Sequence, residues 1–367
     1  MIEAAHVFDT EKRRFIKKKI CVEHGVFTDV SPVDTADEIY VIPGLIDVHT
    51  HGRSGYDIMQ CDEAALSALS VEYAKTGATT VFPTVMTAPI ENVTEAIKRI
   101  KNTKPAGARY PGIHVEGPFI SEKKPGCHNI PDIRTPSEYL MMSMINDASP
   151  LKIHFTVAPE KCSDGLIKSL SRSATVGIGH TAADYETAMR AVKDGARSFT
   201  HTFNAMTPLS HREPGAVGAS LASDAYSEFI CDGYHIAPDV IGIAYRAKKN
   251  AKDRFVLVTD SLSVAGMPDG EYEMNGIRFT LSGVSARRDD GVIVGSALDM
   301  MTAVKNLSRF AGIPFEEALI CATKNPAEMV GIYDTVGSIK VGKCADFVVL
   351  DKNHNIISVC VGGERII

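Results

Sequence analysis

The sequence predicts an α/β protein: a (β/α)8 barrel, the TIM barrel, carrying a small β-sandwich domain formed by both chain termini. Three observations lead there. Eight short apolar runs of strand character alternate with helix-like segments through the middle of the chain. The two ends share a different pattern, of short alternating strands. Ionisable residues stand at the C-terminal ends of several of the eight runs, where such barrels keep their chemistry. The length of 367 residues fits one large and one small unit, because barrels of this kind reach roughly 250 residues or more as one domain. The predicted division is 1–45 with 334–367 for the small β domain and 46–333 for the barrel.

The N-terminal segments 16–22 and 26–30 alternate in polarity and are punctuated by Gly25 and Pro32. Segments 345–350 and 356–361, separated by a polar turn at 352–355, have the same character. Neither end has enough strands to bury a face alone, so the two are expected to pair. The barrel strands are read at Leu45 onward, 79–85, 112–117, 152–157, 175–179, 198–203, 228–231 and 255–258. Helices are expected at 62–76 and, after Pro89, at 90–101. Between Met267 and Val294 the pattern turns to Gly-rich β segments, a hairpin insertion after the eighth strand. The competing fold, a doubly wound open sheet, would show a Gly-rich first turn, and His49-Thr50-His51-Gly52 is not one.

Composition excludes several function classes. A net charge of -6 argues against nucleic acid or an anionic membrane as partner, so an anionic substrate needs a local cationic pocket. The eight cysteines are scattered with no C-x-x-C pair, which reads as a reducing compartment. With no leader-like start and no run of membrane-spanning length, the expected location is cytoplasmic.

The residues that carry chemistry lie at the strand ends. His49 and His51 close an apolar run one residue apart, and alternation along a strand points both imidazoles to one face, as a metal site requires. With 12 histidines the spacing alone would arise by chance about 0.4 times, so the flanking apolar run, Asp47 and the turn at Gly52 carry the reading. Glu116 ends the third strand before a Gly-Pro turn and is either a ligand or the partner of a buried cation; its companions favour the ligand. His180 and His201 end the fifth and sixth strands, and each alone could be a core histidine. Together, beside a buried acid, they read as ligands. His154 reads as structural. Asp260, ending the eighth strand, touches a metal, shares a proton with its water, or caps a helix. Arg212 suits bidentate phosphate binding, the alternative being a surface ion pair with Glu213. Gly126, Pro125 and Pro131 frame His128 in a loop able to close.

The D-x-H-x-H of the first strand, the terminal-strand aspartate and the tail motif at 337–346 resemble the amidohydrolase superfamily. More narrowly, HVEGPF, GHTAAD, HTFNAM with HREPG, DGYH and VTDS, in order and nearly end to end, resemble the N-acetylglucosamine-6-phosphate deacetylases. That resemblance implies metal-dependent hydrolysis of an acetamide to acetate and a free amine, in amino-sugar catabolism. It implies Glu116, His180 and His201 as ligands of the principal metal, His49 and His51 as ligands of a second, and one or two divalent ions, zinc or ferrous iron. Asp260 would be general base and acid, and His128 would polarise the acetyl carbonyl. Cys127, Asn204, Ala205, His235, Ile293 and Gly295 would line the substrate, a phosphorylated N-acetyl amino sugar. Arg212 would bind its phosphate across the interface of a homodimer. Tyr234 and the run 261–263 depart from the family's usual pattern beside the sugar. The rivals are an amidohydrolase of a cyclic amide or dipeptide and a non-catalytic sugar-phosphate sensor.

Overall fold

The computed structural model describes residues 2–274, 277–291 and 293–367. Its centre is an eight-stranded parallel barrel of Leu45–Thr50, Ala78–Met86, Gly112–Glu116, Lys152–Val157, Thr175–Ile178, Ser198–Phe199, Tyr226–Ile230 and Phe255–Val258, each paired with the next in chain order. All eight expected strands are present. The sixth is shorter than expected: after Phe199 the chain leaves the ladder and turns through 200–203, because His201 and Phe203 adopt left-handed backbone that no strand tolerates. The helices Glu63–Ala74 and Ile90–Asn102 match the expected spans to within two residues, the first held by Asp62, whose side chain accepts the Ala65 N–H at 2.8 Å.

The barrel closes between its first and eighth strands through a clasp around Asp47. The Asp47 carboxylate, fully buried, accepts from the Thr259 hydroxyl at 2.5 Å and from the backbone N–H groups of His49 and Thr259 at 3.2 and 3.3 Å. Beyond it, Asp260 N–H bonds the His49 carbonyl at 2.9 Å and His51 N–H bonds the Ser261 carbonyl at 2.8 Å. Burial pushes the Asp47 carboxyl up to about 6 despite those bonds.

The chain termini form one seven-stranded sheet in which Tyr40–Pro43 joins the two ends, pairing with Ile2–Asp9 on one side and Phe347–Leu350 on the other. The sheet folds back over one apolar cluster with Val7, Ile20, Phe27, Val41 and Phe347, the layered packing of a sandwich. Arg109 forks onto Asp346 at 2.7 and 3.2 Å and so ties this sheet to the barrel. The expected insertion is a four-stranded antiparallel sheet, Gly270–Met274, Ile277–Ser282, Ser285–Arg287 and Ile293–Ser296, with its own cluster around Leu262, Phe279 and Leu281. Residues 275, 276 and 292 of that insertion, and Met1, lie outside the described residues. Among the described residues no helix is long and apolar enough to cross a membrane.

Candidate active site

Two clusters of potential metal ligands meet at the C-terminal mouth of the barrel: His49, His51, Glu116 and Asp260, and Glu116, His180 and His201. Glu116 belongs to both. Its Oε1 stands 3.2 Å from His180 Nε2, 2.9 Å from His201 Nε2 and 3.4 Å from His49 Nε2, while its Oε2 is 3.1 Å from His51 Nε2. Asp260 Oδ1 closes the first cluster at 3.4 and 3.2 Å from the two Nε2 atoms of His49 and His51. The sequence reading assigned Glu116 to one site, and the barrel geometry makes it common to two.

The donor set fits a cation. Within each pair the Nε2 atoms converge, at 3.3 Å for His49 and His51 and 3.0 Å for His180 and His201. Ligands about 2.0–2.1 Å from zinc stand roughly 3.3 Å apart at a tetrahedral angle, close to both spacings. Electrostatics points the same way. Burial pushes the His49 imidazole down, but the charges of Glu116 and Asp260 outweigh it and hold it well above its usual value. For His51, burial is outweighed by hydrogen bonds to Asp260 and Glu116, which push it up to about 9. Against burial, the charge of His49 and the close approach of the His128, His180 and His201 rings hold Glu116 well below the usual carboxylate range; His49 and His51 do the same for Asp260. Carboxylates that force positive charge onto buried imidazoles form a site whose own balance calls for a cation.

Local backbone aims these side chains. His180, His201 and Asp260 have φ of 46°, 30° and 48°, the left-handed region that non-glycine residues rarely occupy. Each stands just past its strand and turns the chain so that the side chain faces the barrel axis. His180 Nδ1 is 2.9 Å from the Lys124 carbonyl, which can only accept, so the proton sits on Nδ1 and the Nε2 lone pair faces Glu116. His128 has the opposite tautomer. The Thr87 N–H points at its Nδ1 at 3.4 Å and the Thr87 hydroxyl, free to donate as well, lies 2.8 Å from the same nitrogen; with Nδ1 accepting, Nε2 carries the proton, 3.5 Å from Glu116 Oε2. Burial, with His180 nearby, pushes His128 down to about 4 although Glu116 opposes it, so at neutral pH it is an uncharged donor. His235 Nδ1 lies 2.6 Å from Asp232 Oδ2, while Asp232 Oδ1 accepts the N–H groups of Tyr234 and His235 at 2.8 Å.

The cleft above the clusters, about 200 Å3, is walled by His51, Glu116, Cys127, His128, His180, His201, Asn204, Ala205, His235, Asp260, Ile293 and Gly295. Of the residues singled out from the sequence, His49 lies beneath its floor, fully buried, and Arg212 lies outside. Arg212 is exposed on the loop before the helix Gly215–Ala222. Cys127 is exposed on the loop before His128 and lines the cleft. A larger hollow of about 580 Å3 at the opposite end of the barrel, lined by Lys152, Thr175, Arg197 and Tyr226, gathers no ligand cluster among the described residues. Sequence reasoning missed Thr87, the Lys124 carbonyl, Asp232 and Glu228, and did not separate Asp47, the strand clasp, from the ligands beside it. Glu228 was legible as an acid inside an apolar strand; it was read only as a strand's first residue.

The family model described as the amidohydrolase family matches residues 40–366. The N-acetylglucosamine-6-phosphate deacetylase of Vibrio furnissii is 32% identical over 349 residues, covering 94% of this chain and 85% of the relative. The N-acetylgalactosamine-6-phosphate deacetylase of Escherichia coli O157:H7 is 31% identical over 368 residues, covering 97% and 96%. Among solved structures, the N-acetylglucosamine-6-phosphate deacetylase of Thermotoga maritima superposes with a TM-score of 0.91 at 32% identity, over 100% of this chain and 99% of that one.

Proposed function

This chain belongs to the amidohydrolase family, and from that membership and the cleft's chemistry we propose that it hydrolyses the acetamide of N-acetylglucosamine-6-phosphate, releasing acetate and glucosamine-6-phosphate in amino-sugar catabolism. The observation that carries the reading is the convergence of Glu116, four histidine Nε2 atoms and Asp260 beside a neutral, donating His128.

Glu116, His180 and His201 would hold the principal divalent metal, and His49 and His51 with Glu116 and Asp260 a second; zinc or ferrous iron suits nitrogen and carboxylate donors. Bound there, such an ion supplies Lewis acidity, acidifying water and polarising a carbonyl. Asp260, ionised at neutral pH, accepts a proton from the attacking water. His128 Nε2–H donates to the acetyl oxygen as negative charge develops on it. Asp260 then delivers its proton to the departing nitrogen, which must leave as an amine because an amide anion is too basic to be expelled. His235, its Nδ1–H held by Asp232, turns the Nε2 lone pair toward a sugar hydroxyl. Asn204, Ala205, Cys127, Ile293 and Gly295 surround the pyranose.

Arg212 is exposed outside its own cleft and near the exposed Leu209, an arrangement in keeping with a homodimer in which each Arg212 forks onto the phosphate in the partner's cleft. Eight unpaired cysteines accord with the reducing cytoplasm. The units 1–45 with 334–367 and 46–333 are proposed as the domains, the smaller one bracing the barrel. N-acetylgalactosamine-6-phosphate is the second reading, favoured by the relative of that name at 31% identity, against 32% for the Vibrio furnissii enzyme. The test is acetate release from both sugar phosphates, with metal analysis of the purified protein. Metal-loaded protein that releases acetate from neither overturns the proposal.

A further inference from the structure

Glu228 stands where the hydrolysis itself asks for no carboxylate. It lies mid-strand on Tyr226–Ile230, points into the barrel beneath the ligand clusters and has no exposure. Among the described residues no lysine or arginine pairs with it, and its Oε1 has no hydrogen-bond partner. A carboxylate in such a place is costly unless something offsets its charge. Three groups face it. His49 Nδ1 is 3.7 Å from Oε2, His154 Nε2 is 3.6 Å from Oε1, and the backbone N–H of His201 donates to Oε2 at 3.4 Å. It therefore reaches one proposed ligand of each cluster from behind, His49 through the side chain and His201 through the main chain.

The contact with His49 is the informative one. A histidine that ligates through one ring nitrogen commonly gives its other N–H to a carboxylate or a carbonyl, which fixes tautomer and ring plane. His180 has the Lys124 carbonyl for that purpose. His49 Nδ1 has no hydrogen bond within ordinary distance, and the Glu228 carboxylate faces it at 3.7 Å. We infer that Glu228 is the positioning residue of the second metal site: its carboxylate faces His49 Nδ1–H, keeps the Nε2 lone pair turned to the cleft, and supplies buried negative charge that offsets the cation. This rests on the reading of His49 and His51 as ligands given above.

The test is zinc titration against a chromophoric chelator, using the full-length protein stripped of metal, for wild type, Glu228→Gln and Glu228→Asp. Glutamine keeps the shape and an acceptor for the His201 N–H but removes the charge. The expected result is a second zinc equivalent bound roughly 10–100-fold more weakly, the range typical of outer-shell partners, with the first equivalent nearly unchanged. Glu228→Asp, which keeps the charge but draws it back from His49, should fall between the two, and it carries the test if the glutamine variant does not fold. Wild-type affinity for both equivalents in the variants overturns the inference while leaving the two-metal reading intact. Parallel loss of both equivalents with a lowered melting temperature makes Glu228 a general strut and overturns it as well. A wild type that never takes a second equivalent sinks both readings.

Discussion

The two histidine pairs that meet at Glu116 are built by opposite means. His49 and His51 sit at the end of the regular strand Leu45–Thr50 and just past it, placed by simple alternation and by the Asp47 clasp that closes the barrel. His180 and His201 stand beyond their strands in left-handed backbone, which costs about 1–3 kcal/mol for a non-glycine residue unless neighbours hold it. Those neighbours come from loops. The Lys124 carbonyl takes the His180 Nδ1–H, Ser121 N–H bonds the His180 carbonyl at 2.9 Å, and Asn204 N–H bonds the His201 carbonyl at 3.0 Å. One pair thus depends on barrel closure, the other on loop order. The two should be separable by mutation.

The largest effect is expected where the distinction does not apply. In the proposed reaction Asp260 carries the proton whichever pair is occupied, so Asp260→Asn should keep the fold and bind substrate while losing turnover by more than the roughly 10²–10⁴ usual for acid–base catalysis. Acetate release above about a tenth of the wild-type rate would remove Asp260 from that role. The next variant cuts the comparison in two. His49→Gln/His51→Asn should lose one bound metal equivalent and keep the other, since His180, His201 and their loop contacts are untouched. Should metal titration find both equivalents lost together, the pairs are not independent.

Arg212→Ala tests a group outside both pairs. A charge-assisted bond is worth about 1.5–3 kcal/mol, so kcat/KM for the phosphorylated sugar should fall roughly 10–150-fold, with little change for unphosphorylated N-acetylglucosamine. Equal losses on both substrates would make Arg212 structural.

How much of this was legible follows the same divide. The first-strand pair could be read directly, because an apolar run with H-x-H at its end fixes both the element and the direction of its side chains. His180 and His201 could be named as strand-end histidines, but nothing in residues 198–203 announces that the ladder stops at Phe199 and the backbone reverses hand. That turn is set by contacts with residues far away in the chain. The same holds for Glu116 serving two clusters, for Asp47 meeting Thr259 across the barrel seam, and for Glu228 behind His49. Each is a relation between strands distant in sequence, and periodicity describes one strand at a time.

His128 belongs to the loop-borne half, its ring 4.6 Å from that of His180. Burial holds it at about 4 rather than 6.5, and a cation bound nearby would push the same way. The unfolded chain therefore binds more protons between those values, so this group's contribution to stability is lost as pH falls from 6.5 toward 4. In labelled enzyme its ring signals should stay those of the neutral Nε2–H form from pH 8 to about 5. A midpoint near 6.5 would leave no reason for a preferred donor at Nε2.

The smallest effect probes the loop itself. Gly126 has φ +58°, and a Cβ there would lie 2.9 Å from His180 Cε1, closer than real side chains come. Gly126→Ala must therefore strain the backbone by about 1–2 kcal/mol or shift residues 124–128, and a shift lengthens the Lys124 carbonyl's bond to His180 Nδ1. The ring then loses the contact that fixes its tautomer, while Asp47, Glu228 and the first-strand pair feel nothing. The expected result is a fall in kcat of about 5–30-fold, if that strain is expressed at the site, with weaker binding of the metal equivalent that survives in His49→Gln/His51→Asn. Combining Gly126→Ala with the double variant should lower the affinity for that remaining equivalent further. If Gly126→Ala instead weakens the equivalent that the double variant loses, loop and strand are coupled through Glu116, and the division between the two pairs fails at the residue they share.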